Sequence, residues 1–532
     1  MQNIKYRLSY LAIAISTVLL PSKTFAAERI TFNIAPLGQF QIRVEDLDAF
    51  ATTGSISPEL NYYLRRLPPE QLAQLSKLLS TPLKLEPLAI AKFSNSTVGK
   101  ITIQNFGKGI RGNSGGNSQR NGFYALRGAI IAAAFDQEGL TPLNLLEHYP
   151  LDTVHLDLRI LTQYLERGKK LTRNRQVIER TWFIDYQQQV FKDNLIPESD
   201  PQVAGQYTWQ KQTFSYQNPN RLEPGLFDLY QPNIEVPLPL IAISHGMASN
   251  RQTFAYLAQH FASHGFAVAV IEHDAISLAK FDRFLAGRDS FPEANNLLDH
   301  PLDISYVLNR LESESNIDLQ QVGLIGQSFG GYSALALSGG ELIAEETARE
   351  CQMESYLNIL MDLSSLAKCA FNQLGQSQVE LRDKRIKAVV AINPMAKIFG
   401  SAGMSSVQTP TMLISGTHDL IMPPVAEQIE PFSWLNDNLE KYLVLVKPGT
   451  HFSFLQEGLG ISPVPDTAVG LRPVYAYPAL KALSTAFFQV HLAQKSEYRA
   501  YLTTDLSEQL NNNNFELSII HSLEDTELEQ FQ

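Results

Sequence analysis

The sequence has little cysteine, no long apolar run in its body and no excess of positive charge. After the first residues, no stretch approaches the ~18 apolar residues of a membrane helix, so no transmembrane segment is expected. The formal net charge is -11 at pH 7, and nothing in the composition argues for a nucleic-acid partner. No 40–50-residue repeat is present, which argues against a propeller. The remaining composition, 44% hydrophobic and 18% charged, is ordinary for a globular protein.

The start of the chain has the pattern of a secretory signal peptide, expected over residues 1–27. Two basic residues precede an apolar run, residues 8–20, that is too short to span a bilayer. Thr24-Phe25-Ala26 then places small residues at the two important positions before a cleavage site. We therefore expect an exported protein, periplasmic or extracellular.

The two cysteines, Cys351 and Cys369, are the only ones in the chain. An exported chain meets an oxidising compartment, where an even count predicts one disulfide. The alternative is a pair of separate buried thiols.

Residues 28–165 are expected to form a mainly helical N-terminal domain. Alternating apolar residues on both sides of residues 36–38 predict a hairpin. Ser57 before Pro58 predicts a capped helix start, and residues 122–135 predict a buried helix. We find no catalytic constellation in this region.

Residues 166–205 are interpreted as a linker. Six basic residues between Arg167 and Arg180 either make transient contact with anionic lipid head groups or belong to a solvated linker helix.

Near the C-terminus, no lysine or arginine follows Arg499. Residues 499–532 are therefore expected to form an acidic, peripheral C-terminal tail.

Apolar runs alternate with helical segments from residue 206 to 498. This pattern predicts an α/β fold with a mostly parallel sheet and helices on both faces. Residues 340–385 exceed a normal connection and are interpreted as an inserted cap. The strands are expected at 226–230, 238–244, 267–271, 322–325, 386–392, 411–415 and 442–446.

A nucleophile is predicted at Ser328, within the G-x-S-x-G pentapeptide of residues 326–330. The pentapeptide lies between a predicted strand and a predicted helix, the context in which such a serine is exposed on a sharp turn. A serine at its ordinary pKa is a poor nucleophile, and it needs an adjacent base that is oriented by an acid.

The base and the acid are chosen by position, because catalytic groups gather at the carboxyl ends of parallel strands. His451 follows the last predicted strand and is the expected base, with His273 and His418 as competitors. Asp419 follows the preceding strand and is the expected acid, although an aspartate here could instead cap a helix. The order serine, aspartate, histidine is that of α/β-hydrolases.

Acyl transfer also needs hydrogen-bond donors for the oxyanion. One is expected from the backbone N–H of Phe329, directly after the nucleophile. The second is assigned to the N–H of Met247, in the loop after an earlier strand.

Residues 206–498 resemble an α/β-hydrolase, and most closely the secreted platelet-activating-factor acetylhydrolases and the dienelactone hydrolases. The whole chain resembles bacterial exported hydrolases with an N-terminal domain of unknown function. The resemblance implies a carboxylic ester hydrolase without metal or cofactor that acts on short-chain or lipid esters. The large N-terminal unit and the insert are departures from the acetylhydrolases. Both could reshape the substrate pocket, so the resemblance does not decide whether phospholipids are substrates. The matching segments are 244–247, 269–273, 326–331, 416–419 and 449–453, with 45–48 and 125–127 in the N-terminal part.

Two other functions remain open. A serine peptidase of the prolyl-oligopeptidase type has a similar nucleophile turn, but such enzymes usually contain a propeller. A binding protein on a hydrolase scaffold usually lacks at least one of the three catalytic residues, whereas all three are expected here. The partner expected for the esterase is a small-molecule or lipid ester substrate, and no nucleic acid is expected as a partner.

Overall fold

The computed structural model describes a chain with two compact units. The first unit comprises residues 1–94 and 103–162, and the second comprises residues 95–102 and 163–532. Almost all of the predicted signal peptide, and Cys351, lie outside the described residues. Within the described part of the chain, no helix combines the length and apolarity needed to cross a membrane. The described residues are 27–83, 85–112, 122–183, 200–346, 348, 363–456, 469–503 and 510–531.

The first unit combines helices with a small sheet whose strand order is β2-β1-β4-β3. β1 (Arg29–Ile34) and β2 (Gly38–Arg43) form the antiparallel hairpin predicted from the sequence, which is confirmed. β4 (Thr153–Leu156) pairs in parallel with β1, and β3 (Ile110–Gly112) pairs with β4.

The helices of the first unit include those predicted from capping and apolarity. Ser57 Oγ accepts a hydrogen bond from the N–H of Leu60 at 3.2 Å, so the predicted helix cap is confirmed. The helices are Val44–Thr53, Pro58–Leu64, Pro69–Ser80, Pro87–Asn95, Thr97–Gly109, Phe123–Phe135 and Pro142–Glu147. Two helices, Thr97–Gly109 and Leu158–Trp182, contain residues of both units.

The second unit is built on a sheet with the strand order β15-β14-β13-β12-β9-β7-β8-β6-β5 in the described part of the chain. The six strands β14, β13, β12, β9, β7 and β8 run parallel to one another. At the two edges, β15, β6 and β5 pair antiparallel with their neighbours. Each strand predicted from an apolar run is confirmed. The bounds are β5 Trp209–Tyr216, β6 Gly225–Pro232, β7 Leu238–Ser244, β8 Ala267–Ile271, β9 Ile317–Gln327, β12 Ile386–Ile392, β13 Thr411–Gly416, β14 Lys441–Lys447 and β15 Glu516–Ile520.

Helices cover both faces of this sheet because its central strands are apolar on both sides. In β7, Ile241 and Ile243 pack in the core beneath the helices Ala255–Ser263 and Tyr477–His491. Leu240 and Ala242 face the opposite core, which includes residues of Asn296–Arg310 and Phe329–Leu337. The predicted α/β-hydrolase architecture is thus confirmed. Further helices are Leu278–Leu285, Leu363–Phe371, Gly400–Ser405, Glu430–Trp434 and Asp525–Glu529.

The predicted linker differs from what the structure shows. Residues up to 182 continue the helix Leu158–Trp182, and residues 184–199 lie outside the described part. Val177, Ile178 and Trp182 are buried in a core cluster of the second unit, so one face of this helix is packed rather than solvated. Basic residues on its other faces concealed the apolar side in the sequence.

The prediction of a peripheral tail is wrong for residues 516–520. These residues form β15, which pairs antiparallel with β14 at the edge of the sheet. Leu517 and Ile519 are buried in the core, because burial of their apolar side chains is more favourable than exposure to water. The acidic composition around this short strand masked its signal.

The insert at residues 340–385 is described in part. Its two-residue strands β10 (Leu342–Ile343) and β11 (Gln378–Val379) pair antiparallel, so the insert begins and ends close together. Cys369 lies in the helix Leu363–Phe371 of this segment. Because Cys351 lies outside the described residues, the Cys351–Cys369 bridge stays a prediction.

Candidate active site

Ser328 occupies the sharp turn that the pentapeptide predicts. It follows β9 directly and precedes the helix Phe329–Leu337. Its backbone has φ 57° and ψ -115°, an unusual conformation for a residue other than glycine. Strained backbone of this kind clusters at functional sites, where the surrounding structure holds it in place.

The glycines around Ser328 allow three segments of backbone to approach closely. A Cβ on Gly326 would clash with the carbonyl of Gly330. A Cβ on Gly330 would in turn clash with the carbonyl of Ser244, at the end of β7. Ordinary side chains at these two positions would push the turn away from the sheet.

His451 and Asp419 are hydrogen-bonded to each other, with 2.7 Å between His451 Nδ1 and Asp419 Oδ2. Asp419 Oδ1 accepts two further hydrogen bonds, from the N–H groups of Ile421 and Met422, both at 2.8 Å. The carboxylate is thereby fixed in direction. With Nδ1–H donating to Asp419, Nε2 of His451 is left to accept a proton.

The two competing histidines have other surroundings. His273 is fully buried and hydrogen-bonds to Ser244 and Asp303. His418 Nδ1 lies 2.9 Å from Oγ1 of Thr417, and its ring faces a second cavity beside the helix Leu158–Trp182. Neither histidine lines the cavity that contains Ser328, whereas His451 does.

Two amide side chains that the sequence analysis did not single out support the loop of His451. Asn393 Nδ2 donates to the carbonyl of Thr450 at 3.2 Å, and its Oδ1 accepts from the N–H of Gly416 at 2.9 Å. Gln327 Nε2 donates to the carbonyl of His451 at 3.2 Å. Their positions directly after β12 and directly before Ser328 are the only signal in the sequence.

The two amides predicted to bind the oxyanion belong to segments that meet at Ser328. The N–H of Phe329 opens the helix that follows the serine, and Met247 lies in the loop after β7. A Cβ on Gly246 would lie 2.7 Å from Gln327 Oε1 and 3.0 Å from Ser328 Cβ, so this loop packs directly on the nucleophile turn. Both Met247 and Phe329 line the same cavity as Ser328.

The cavity next to Ser328 has a volume of about 310 Å³ and a strongly apolar wall. The helix Leu363–Phe371 of the insert contributes Leu366, Ala367 and Ala370 to it. Glu293 is the one carboxylate among the described residues of the wall. The other lining residues are Val98, Met247, Ala248, Ser249, Phe281, Phe291, Pro292, Ala294, Asn296, Leu297, Ser328, Phe329, Met395, Ile421, Met422, His451, Phe452 and Leu455.

The described residues contain no group of three or more histidine, cysteine, aspartate or glutamate side chains arranged to hold a metal ion. The site consists of a hydroxyl and an imidazole that line an apolar cavity, the carboxylate hydrogen-bonded to the imidazole, and nearby backbone amides. These groups are the parts required for acyl transfer through a serine.

The fold and the strand-end loops together define an α/β-hydrolase. Residues 26–157 match a family described as alpha/beta hydrolase of unknown function (DUF1400). Residues 229–289 match the family platelet-activating factor acetylhydrolase, isoform II. No curated protein matches the chain. The resemblance predicted from the sequence is confirmed: the chain is similar to these two families, and its second unit has the α/β-hydrolase fold.

The two matches cover different parts of the chain. The first covers most of the first unit, and the second covers the stretch from β6 to the helix Leu278–Leu285, including Met247 and His273. Neither match reaches Ser328, Asp419 or His451. The roles predicted for these three residues therefore rest on the sequence pattern and on their geometry.

Proposed function

We propose that this protein is an exported serine esterase in which Ser328, His451 and Asp419 form the catalytic triad. The observation that carries the proposal is that the strained Ser328 turn and His451, which is hydrogen-bonded to Asp419, line one apolar cavity. Each of the three residues directly follows a strand of the parallel sheet or lies in the loop after one.

In the first half of the reaction, Ser328 Oγ attacks the ester carbonyl carbon and its proton passes to His451 Nε2. The carbonyl oxygen becomes an oxyanion that accepts hydrogen bonds from the N–H groups of Met247 and Phe329. As the C–O bond breaks, the alcohol leaves with the proton that His451 returns, and the acyl group stays on Ser328.

In the second half, water attacks the acyl-enzyme. His451 accepts the proton of the water and then returns it to Ser328 Oγ, so the carboxylic acid leaves and the serine is regenerated. Asp419 keeps its charge throughout. It orients the imidazole and stabilises its protonated form.

We further propose that the preferred substrates are esters with a short, uncharged acyl group. A cavity of about 310 Å³ lies at the lower end of the range for small-molecule sites, roughly 300–1,000 Å³. Its wall is almost entirely apolar, so a charged acyl group would lose hydration without gaining a partner. Phospholipids with a short acyl group contain the same kind of ester bond, and they are a more specific class of candidate substrate.

The test is a series of p-nitrophenyl esters from acetate to palmitate, with a short-chain phospholipid and a peptide p-nitroanilide alongside. We expect the highest kcat/KM for short acyl groups and no hydrolysis by Ser328→Ala. Cleavage of the peptide in preference to every ester would support the prolyl-oligopeptidase alternative. Binding of an ester without turnover would support the non-catalytic one.

The proposed export is a separate statement with its own test. The pattern of residues 1–27 supports it. Expression of the full chain in a bacterial host should give a periplasmic product whose amino terminus, read by mass spectrometry, lies at residue 27 or 28. An unprocessed cytoplasmic product would contradict export.

A further inference from the structure

A second set of serine, histidine and aspartate lies buried behind the oxyanion loop. Ser244 Oγ is 3.0 Å from His273 Nε2, and His273 Nδ1 is 3.1 Å from Asp303 Oδ2. All three side chains have no measurable solvent exposure. No substrate can reach this serine, so the set cannot be a second active site.

Arg221 and Asn218 fix the aspartate at the base of this set. Arg221 donates to Asp303 through Nε at 2.9 Å and through Nη2 at 2.6 Å, a two-point contact that sets the plane of the carboxylate. Asn218 Nδ2 adds a third hydrogen bond at 2.8 Å. Burial raises the pKa of Asp303 to about 6, against the opposing effect of Arg221, so the carboxylate is ionised at neutral pH.

These contacts determine the protonation of His273. Burial holds the pKa of His273 well below its ordinary value, so its ring is neutral. The ionised carboxylate can only accept, and therefore Nδ1–H donates to Asp303. Nε2 must then accept, and the hydroxyl of Ser244 donates to it. Each polar atom in the series from Arg221 to Ser244 has one possible role.

His273 also binds His245, the residue that follows Ser244 and begins the loop after β7. The backbone N–H of His273 donates to His245 Nε2 at 3.1 Å. His245 Nδ1–H is thus left to donate to the carbonyl of Gly246, at 2.8 Å. The peptide that carries this carbonyl also carries the N–H of Met247, the amide proposed to bind the oxyanion.

We propose that Asp303, His273 and Ser244 are positioning residues that fix the Met247 amide for the oxyanion. The inference rests on the proposed esterase function. His273 holds Ser244 through its side chain and His245 through its backbone, and these residues lead directly into Gly246 and Met247. A donor that is fixed before the reaction begins binds the developing oxyanion of the transition state more strongly than it binds the carbonyl oxygen of the ester.

The test uses the full-length enzyme with Ser244→Ala, and Ser484→Ala as the matched control. Ser484 is an equally buried serine in the helix Tyr477–His491, where its hydroxyl donates to the carbonyl of Leu480. With p-nitrophenyl acetate, Ser244→Ala should lower kcat about 10-fold and leave KM within twofold. The loss is smaller than the roughly 10²–10³-fold cost of removing an oxyanion donor, because the amide is displaced rather than deleted.

The affinity for a trifluoromethyl ketone gives a second measurement that a merely structural role would not change. Such a ketone forms a hemiketal oxyanion with the nucleophile, and its Ki should rise about 10-fold in Ser244→Ala. Ser484→Ala should leave kcat and Ki within twofold, whatever its effect on Tm. Asp303→Asn, which removes the charge that orients His273, should follow Ser244→Ala in both kcat and Ki.

The proposal is overturned if Ser244→Ala matches Ser484→Ala in kcat and in Ki. If Ser244→Ala does not fold, Asp303→Asn is judged by the same limits, and unchanged kcat and Ki there overturn the proposal. The esterase function fails in a different way, through a wild-type enzyme without ester hydrolysis or a Ser328→Ala variant that retains it. Hydrolysis that depends on Ser328 but not on Ser244 rejects the positioning role alone.

Discussion

The carboxylate of Asp419 has a different task at each of its oxygens. Oδ2 contacts His451, and Oδ1 accepts from the N–H groups of Ile421 and Met422. One oxygen therefore serves the proposed catalysis, and the other holds the loop that lines the cavity. A substitution can separate the two tasks.

Asp419→Asn should lower kcat by roughly 10³–10⁴, because an amide neither stabilises the protonated imidazole nor enforces the correct tautomer of His451. Its remaining oxygen can still accept from the two loop amides, so Tm should stay close to that of the wild type. The measurement is kcat with p-nitrophenyl acetate together with a thermal melt. Asp419→Ala is the control and should lower both kcat and Tm. A kcat within tenfold of the wild type in Asp419→Asn would contradict the role of Asp419.

Much of the site follows from single residues in the sequence, because each lies next to a recognisable strand. Ser328, Asp419 and His451 come after β9, β13 and β14, and parallel strands bring such loops to one edge. The contacts of Asp303 were not predicted. Its partners come from segments around residues 218–221 and 273, and no local pattern links them before the chain is folded.

At the scale of the element, the nucleophile turn depends on close packing of the backbone. Gly330→Ala should destabilise the enzyme by about 1–3 kcal/mol and abolish most activity, because its Cβ would clash with the carbonyl of Ser244. Gly168→Ala is the control: it lies within the helix Leu158–Trp182, and its Cβ would meet nothing within 4 Å. It should stabilise the protein by about 0.5–1 kcal/mol. Urea unfolding measures the free energy of unfolding of both variants. Equal changes in Gly330→Ala and Gly168→Ala would contradict the packing argument.

The insert helix Leu363–Phe371 forms part of the cavity wall, so it should select the acyl group. Ala367→Phe fills part of the cavity and should lower kcat/KM for p-nitrophenyl octanoate at least 10-fold, with the acetate within threefold. Ala402→Phe is the control, since Ala402 is exposed on the helix Gly400–Ser405. Equal losses for octanoate and acetate would show that Ala367 does not limit acyl length.

The elements themselves were predicted where apolar residues dominate. β7, β8 and β12 are nearly continuous apolar runs, and their observed bounds agree with the prediction. β15 and the buried face of the helix Leu158–Trp182 were missed, because their few apolar residues lie among charged ones. Such elements are ordered by the core on which they pack rather than by their own composition.

At the scale of the whole molecule, buried histidines link stability to pH. His260 Nε2–H donates to the carbonyl of Pro201 at 2.9 Å, and burial lowers the pKa of His260 to about 3. In the unfolded chain this histidine binds a proton near pH 6.5, whereas in the folded chain it stays neutral down to about pH 3. Its contribution to stability is therefore complete above pH 6.5 and is lost as the pH falls from 6.5 towards 3.

His260→Gln should make the free energy of unfolding less dependent on pH. One proton fewer is taken up on unfolding, so the slope between pH 4 and 5.5 should fall by up to about 1.4 kcal/mol per pH unit. Urea unfolding across this range measures the slope. Ser484→Ala, a buried substitution without a titrating group, should leave the slope unchanged. An unchanged slope in His260→Gln would mean that His260 is protonated in the folded protein.

The most direct measurement of the central proposal is covalent labelling of the full-length protein with a fluorophosphonate, followed by peptide mass spectrometry. The reagent reacts with serines that an adjacent base has activated. We predict a single adduct on Ser328, and its loss in His451→Ala. No adduct on Ser328, or an adduct that persists without His451, would contradict a Ser328–His451 mechanism.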